Sequence, residues 1–152
     1  MLKIQKNQLV NDDLIECISV YNSDPLSTIA KKAKKNQTLR EIRGRFGYNS
    51  ILLLKDGYVF LCPNYPEVYF SKLDMDQYVL IDPKRYAIKK DIIREITAKP
   101  NKGQHEEIVA AKKEERYINL ARNKEVRYYI FTTTNRIYGI NIIRNMPETG
   151  FF

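Results

Sequence analysis

The chain has 152 residues, 43% apolar and 29% charged, the balance of a globular protein with one ordinary domain or two small ones. One histidine and two cysteines exclude a multi-histidine metal site, a disulfide framework and every Cys-x-x-Cys zinc arrangement, and no apolar run approaches the roughly 20 residues that span a bilayer. The formal net charge of +8 attracts polyanions without choosing among them.

In chain order, Met1-Leu-Lys-Ile-Gln-Lys6 lacks the continuous apolar core of a secretory signal, so the expectation is a reduced, soluble, cytoplasmic protein with no membrane partner. Residues 14–21 (Leu-Ile-Glu-Cys-Ile-Ser-Val-Tyr) are rich in β-branched and apolar side chains and predict a strand. Asn22-Ser-Asp-Pro25 predicts a turn that caps a helix. Leu26, Ile29, Ala30 and Ala33 then form one apolar helical stripe, with Lys31, Lys32, Lys34 and Lys35 largely off it and Asn36 as the stop. Residues 50–54 and 58–62 predict two strands joined around Lys55-Asp56-Gly57, because Asp-Gly between apolar runs favours a tight hairpin. Pro63-Asn-Tyr-Pro66 breaks the sheet.

The second half predicts the same order. Residues 78–81 and 92–97 read as strands, Pro100-Asn-Lys-Gly103 as a turn, and 104 to about 121 as a helix with Ile108, Ala111 and Ile118 apolar. Residues 126–131 and 136–143 read as a hairpin around Thr134-Asn135, and the tail from Asn145 to Phe152 as frayed. An offset of 78 places Val10 on Ile88, Asp13 on Asp91, Leu14 on Ile92, Ile18 on Ile96 and Val59 on Ile137. The expected fold class is therefore α+β: two similar β-rich units, residues 1–73 and 74–152, each with antiparallel strands, one amphipathic helix and a hairpin. Each is too small for a comfortable independent core, so the two are expected to pack together.

The residues of an enzyme are hard to find in this sequence. There is no Gly-x-Gly-x-x-Gly and no Walker loop. His105 lies between polar neighbours at the start of a helix, Cys17 and Cys62 lie in apolar strands, and Asp12/Asp13 and Asp74/Asp76 fall at turns. Solvated, buried and capping roles respectively account for them, so the expectation is no catalytic residue, no metal and no cofactor. The positive signal is basic. Residues 31–45 hold seven basic side chains and one acid, Glu41, and residues 77–152 carry 15 basic against 9 acidic. Arg40, Arg43, Arg45, Tyr48 and Asn49 cluster before the first hairpin; Arg122, Lys124 and Arg127 hold the corresponding place in the second half. Arginine forks suit phosphate oxygens and guanine edges. Gly44-Arg-Phe-Gly47 has the spacing of a nucleic-acid clamp loop, and eleven tyrosines with no tryptophan serve either packing or base stacking.

With these residues in view, the first half resembles the RemA family of bacterial extracellular-matrix regulators over roughly residues 7–70. The matching features are Leu9-Val-Asn-Asp-Asp-Leu-Ile15, the turn Ser23-Asp-Pro25, the basic helix from Lys31 to Asn36, the loop Gly44-Arg45, the strand from Ser50 to Asp56, its return at Val59-Phe-Leu-Cys62, and Pro66-Glu67. The resemblance implies a LytTR-like β-rich fold, binding of duplex DNA as a transcription regulator, and assembly of subunits into a homo-oligomeric ring that presents basic residues to curved DNA. Of the family's arginines only Arg45 carries over; Phe46 and Leu14 stand where two others belong. The expected DNA-binding residues are Arg45, Arg43, Arg40, Lys31, Lys34 and Lys35 in one half and Arg122, Lys124 and Arg127 in the other, with an oligomeric assembly protein or an RNA-binding module as alternatives.

Overall fold

The computed structural model describes residues 1–21, 26–45, 47–81 and 85–144; the turn expected at residues 22–25, Phe46 and the tail 145–152 lie outside them. Among the described residues the fold is α+β, built of three sheets. β1 (Leu2–Gln5) and β2 (Gln8–Val10) form an antiparallel hairpin. A six-stranded sheet has the order β4-β6-β5-β3-β8-β7, from β3 (Ile15–Val20), β4 (Leu39–Glu41), β5 (Ser50–Leu54), β6 (Val59–Cys62), β7 (Tyr78–Ile81) and β8 (Tyr86–Lys89). A four-stranded sheet has the order β10-β12-β11-β9, from β9 (Ile93–Thr97), β10 (Tyr117–Asn119), β11 (Tyr128–Thr132) and β12 (Ile137–Ile140). Helix α1 (Leu26–Lys35) precedes β4, α2 (Pro66–Phe70) follows β6, and α3 (Lys102–Lys113) precedes β10.

β5 is buried at all five positions, because it is central and covered on both faces. Alternate side chains on it go to opposite sides. Ile51 and Leu53 join Leu26, Ala30 and Ala33 of α1 and, from the second sheet, Ile96, Ile130, Tyr138 and Ile140. Leu52 and Leu54 join the β1–β2 hairpin through Leu2, Ile4 and Val10, and α2 through Tyr69. Helix α3 has its own small core with Phe131 and Ile137, entered through a capping box between Asn101 and Gln104.

The two halves follow the same path at the offset of 78. The 3-10 turn at Asp12–Leu14 corresponds to that at Lys90–Ile92, and α1 and α3 end at Lys35 and Lys113. The left-handed residues Gln37 (φ 62°) and Gly57 (φ 91°) correspond to Glu115 (φ 59°) and Asn135 (φ 72°). Parallel pairing of Leu39 with Val59 corresponds to Tyr117 with Ile137, and the irregularity in β3 at Glu16 to that in β9 at Arg94. The β7–β8 hairpin of the second half, however, is hydrogen-bonded to β3, so the large sheet runs across the boundary between residues 73 and 74.

Three expectations change. The helix expected from 104 to about 121 ends at Lys113, because Glu115 turns left-handed and Tyr117-Ile118 are strand formers that pair with β12. The break at Pro63–Pro66 opens a helix: Pro66 stands at the first helical position, where a missing N–H costs nothing. The strands β1, β2, β4, β8 and β10 add to the expected set; β2, β4 and β10 have three residues each, too few to show a period of two in the sequence.

Candidate nucleic-acid interface

The loop from Ile42 to Asn49 leaves β4 and enters β5 at the end of the sheet where Val20, Ser50 and Cys62 meet. It is anchored at both ends. Ile42 is buried, Gln5 Nε2 donates to the Arg43 carbonyl at 2.7 Å, and Asn49 Nδ2 donates to the Pro63 carbonyl at 2.9 Å. Gly44 is required where it stands, since a Cβ there would overlap the Pro63 ring. Arg43 and Arg45 are exposed on this loop. Phe46 lies outside the described residues.

The second basic loop is Arg122 to Arg127, between β10 and β11. Arg122 has φ 58° and its guanidinium lies 5.8 Å from the centre of the Tyr86 ring. Tyr86 begins β8 and pairs with Ser19, so this loop opens on the same end of the large sheet as the first. β5 and β8 are separated only by β3, which sets them roughly 10 Å apart. Lys124 and Arg127 line a cleft of about 480 Å³ with Tyr128, Asn141 and Ile143. Among the described residues Arg43, Lys124 and Arg127 form no ion pair.

The other expected residues are placed elsewhere. Arg40 lies with its guanidinium 4.8 Å from the centre of the Tyr58 ring, on the side of the sheet covered by the β1–β2 hairpin. Lys31, Lys34 and Lys35 lie on the exposed side of α1, which covers the opposite face. Arg40 and the α1 lysines therefore belong to two surfaces, because a helix and a strand joined by a short turn need not direct consecutive charges to one side.

Two residues join this end without a sequence signal. Arg85 lines a cleft of about 360 Å³ with Tyr21, Asn49 and Tyr65, and Tyr65 is 58% exposed. Tyr65 lies in no basic run, and Arg85, beside Lys84, lies far in sequence from both loops; the pairing of β8 with β3 brings it beside the first loop.

The two thiols are buried among apolar side chains, Asp12 pairs with the N-terminal ammonium at 2.7 Å, and Asp74 caps a 3-10 turn by accepting from Asp76 N. Burial pushes the Cys17 thiol far up and the Cys62 thiol up to about 12. Among the described residues no three His, Cys, Asp or Glu side chains gather as a metal site. Glu16, fully buried, is the exception in position: its carboxylate accepts from Thr134 Oγ1, from Arg136 Nη1 at 3.0 Å and from the Tyr138 hydroxyl. Arg136 also donates to the Leu54 carbonyl at 3.3 Å. This network ties the second hairpin to β3 of the first half.

No family model matches this sequence, and no curated protein matches it either.

Proposed function

We infer that this chain is a non-enzymatic, cytoplasmic DNA-binding regulatory protein, made of two fused RemA-like units, residues 1–73 and 74–152, that assembles as a homo-oligomer. It contacts duplex phosphates through Arg43 and Arg45 from one loop and Arg122, Lys124 and Arg127 from the other. One observation carries the reading: Arg122 stands over Tyr86 at the end of the sheet from which the Arg43–Arg45 loop emerges. Two loops rich in arginine and lysine at one end of the sheet suit a phosphate backbone better than scattered charge does. Arg85 extends the same surface. Arg40 and the α1 lysines add long-range attraction, not contacts at this surface.

The test is fluorescence anisotropy on random-sequence duplex DNA over a salt series. Log affinity is expected to fall by about 0.9 per log salt for each phosphate neutralised. The double variant Arg43→Ala, Arg45→Ala is expected to lower that slope by about 1.8. No binding at low salt, or an unchanged slope, removes the reading. RNA binding is favoured by one feature, the exposed ring of Tyr65 beside Arg85, which offers a face for an unpaired base. Tighter binding to single-stranded RNA than to duplex DNA would select it.

A further inference from the structure

The joint between the two halves is made by strand pairing. β8 adds to β3 with Cys17 opposite Ile88, Ile18 opposite Ala87 and Ser19 opposite Tyr86, antiparallel. At the offset of 78, β9 is the counterpart of β3, and β2 is the counterpart of β8. β3 and β8 are paired on both edges. Among the described residues β9 is paired on one edge only, with β11, and β2 on one edge only, with β1. The chain therefore carries, at opposite ends of its own repeat, the two edges that its interior joint brings together.

We propose that β2 of one copy pairs antiparallel with β9 of a second copy, repeating the interior joint between molecules in head-to-tail order. The transferred register sets Glu95 opposite Val10, Ile96 opposite Leu9 and Thr97 opposite Gln8. Leu9 is 57% exposed, whereas Ala87, its counterpart inside the interior joint, is fully buried. An apolar side chain on an unpaired edge is what a pairing surface needs and what a permanently solvated edge avoids.

The side chains flanking the two joints stand in corresponding places. Inside the chain, the turn carrying Thr134 and Arg136 meets the first half at Glu16. The counterpart of Glu16 is Arg94, and the counterpart of Thr134 is Asp56 in the exposed first hairpin turn. Arg94 lines an open cleft of about 460 Å³ with Arg116, Thr132, Asn135 and Glu107. Inside the chain the corresponding cleft is lined by Lys32, Thr38 and Gly57 on one side and is met by Thr134, Asn135 and Arg136 on the other. Between chains the turn brings Asp56, which follows Lys55, to a cleft whose Arg94 already pairs with Glu107 at 3.1 Å and whose Arg116 pairs with Glu114 at 2.5 Å, so Asp56 adds a carboxylate to a mixed-charge cluster where the interior joint has one buried acid. Because the two surfaces differ, the contact is heterologous and can repeat.

The inference deepens the assembly part of the proposed function and does not depend on its DNA-binding part; the assay contains no nucleic acid. Sedimentation velocity is run on the full chain up to about 100 μM, on Leu9→Lys, which blocks the β2 edge, and on Arg94→Glu, which reverses the β9 cleft. Both positions are exposed; Leu9→Lys is expected to keep the parent circular dichroism spectrum and melting temperature, and Arg94→Glu to keep the spectrum while melting slightly lower, because it replaces the ion pair with Glu107 by a like-charge contact. The parent is expected to form species that grow with concentration, and each variant alone to be a monomer. The two variants mixed are expected to give a one-to-one dimer and nothing larger, since each retains the edge that the other has lost. A monomeric parent overturns the proposal. So does an oligomer that survives Leu9→Lys while Arg94→Glu abolishes it, which is the mark of β9 pairing with itself, or a variant mixture that stays monomeric.

Discussion

Replacing Glu16 by alanine tests whether the buried carboxylate holds the two halves together. Glu16 has no solvent exposure and receives three donors from the second half. The loss is unequal among them. Thr134 keeps Thr132 Oγ1 at 3.0 Å, so its hydroxyl stays satisfied. Tyr138 is fully buried and its hydroxyl loses the carboxylate, a cost of about 1–3 kcal/mol. Arg136 keeps the Leu54 carbonyl but loses its counter-charge with a side chain 19% exposed, adding about 2 kcal/mol, since breaking a buried ion pair costs about 3–5 kcal/mol when nothing replaces it. The expected total is about 3–5 kcal/mol by urea denaturation, or roughly 6–20 °C in melting temperature for a chain of this length. The double variant Glu16→Met, Arg136→Met should cost less than the two single changes added, with a coupling of about 1–3 kcal/mol. A loss below about 1 kcal/mol for Glu16→Ala, or strict additivity in the cycle, would refute the assignment of this carboxylate as the tie between the halves.

Gly44→Ala should displace the loop that carries Arg43 and Arg45, because the added Cβ meets a proline ring that cannot rotate away; a loss of about 1–3 kcal/mol in denaturation and weaker DNA binding are expected together. Gln37→Gly should stabilise the chain by about 0.5–1 kcal/mol, since Gln37 stands at φ 62° just beyond α1, where glycine carries no Cβ penalty; an unchanged midpoint would deny strain there. Alkaline pH should destabilise the fold. Burial raises the thiols of Cys17 and Cys62 and the hydroxyl of Tyr138 above their ordinary values, so these groups stay protonated in the folded chain while the unfolded chain releases protons. Their contribution is whole below the ordinary thiol value of 9.0 and is lost as pH rises from there to about 12 and beyond, read as a falling urea midpoint; a flat midpoint between pH 9 and 11 would contradict it. Thiol titration with an aromatic disulfide at pH 8 should find both cysteines unreactive in the native chain and both reactive in denaturant, and prompt native reaction would deny their burial.

How far the sequence reaches is visible in particular elements. The stripe Leu26, Ala30 and Ala33 places α1 with its lysines outward, the Asp56-Gly57 pair places the first hairpin, and the offset of 78 aligns turns, helix ends and strands in both halves. These are local signals: a helical period, a residue that tolerates positive φ, a turn that must recur if its strands do. Glu16 and Arg94 share a place in this alignment and have opposite fates, and no local signal separates them. One is drawn into a buried network by residues more than a hundred positions away, and the other stays at an edge beside Glu107. Likewise Arg40 reads as part of one basic run with Lys31, Lys34 and Lys35, yet the sheet divides them between its two faces. Sequence alone determined α1, the first hairpin and the longer strands in their order, because periodicity, turn chemistry and apolar patterning act between near neighbours. Which edges are paired, which charges are buried and which loops share an end was decided only by tertiary structure, because strand addition and desolvation join residues whose separation along the chain leaves no trace in composition or spacing.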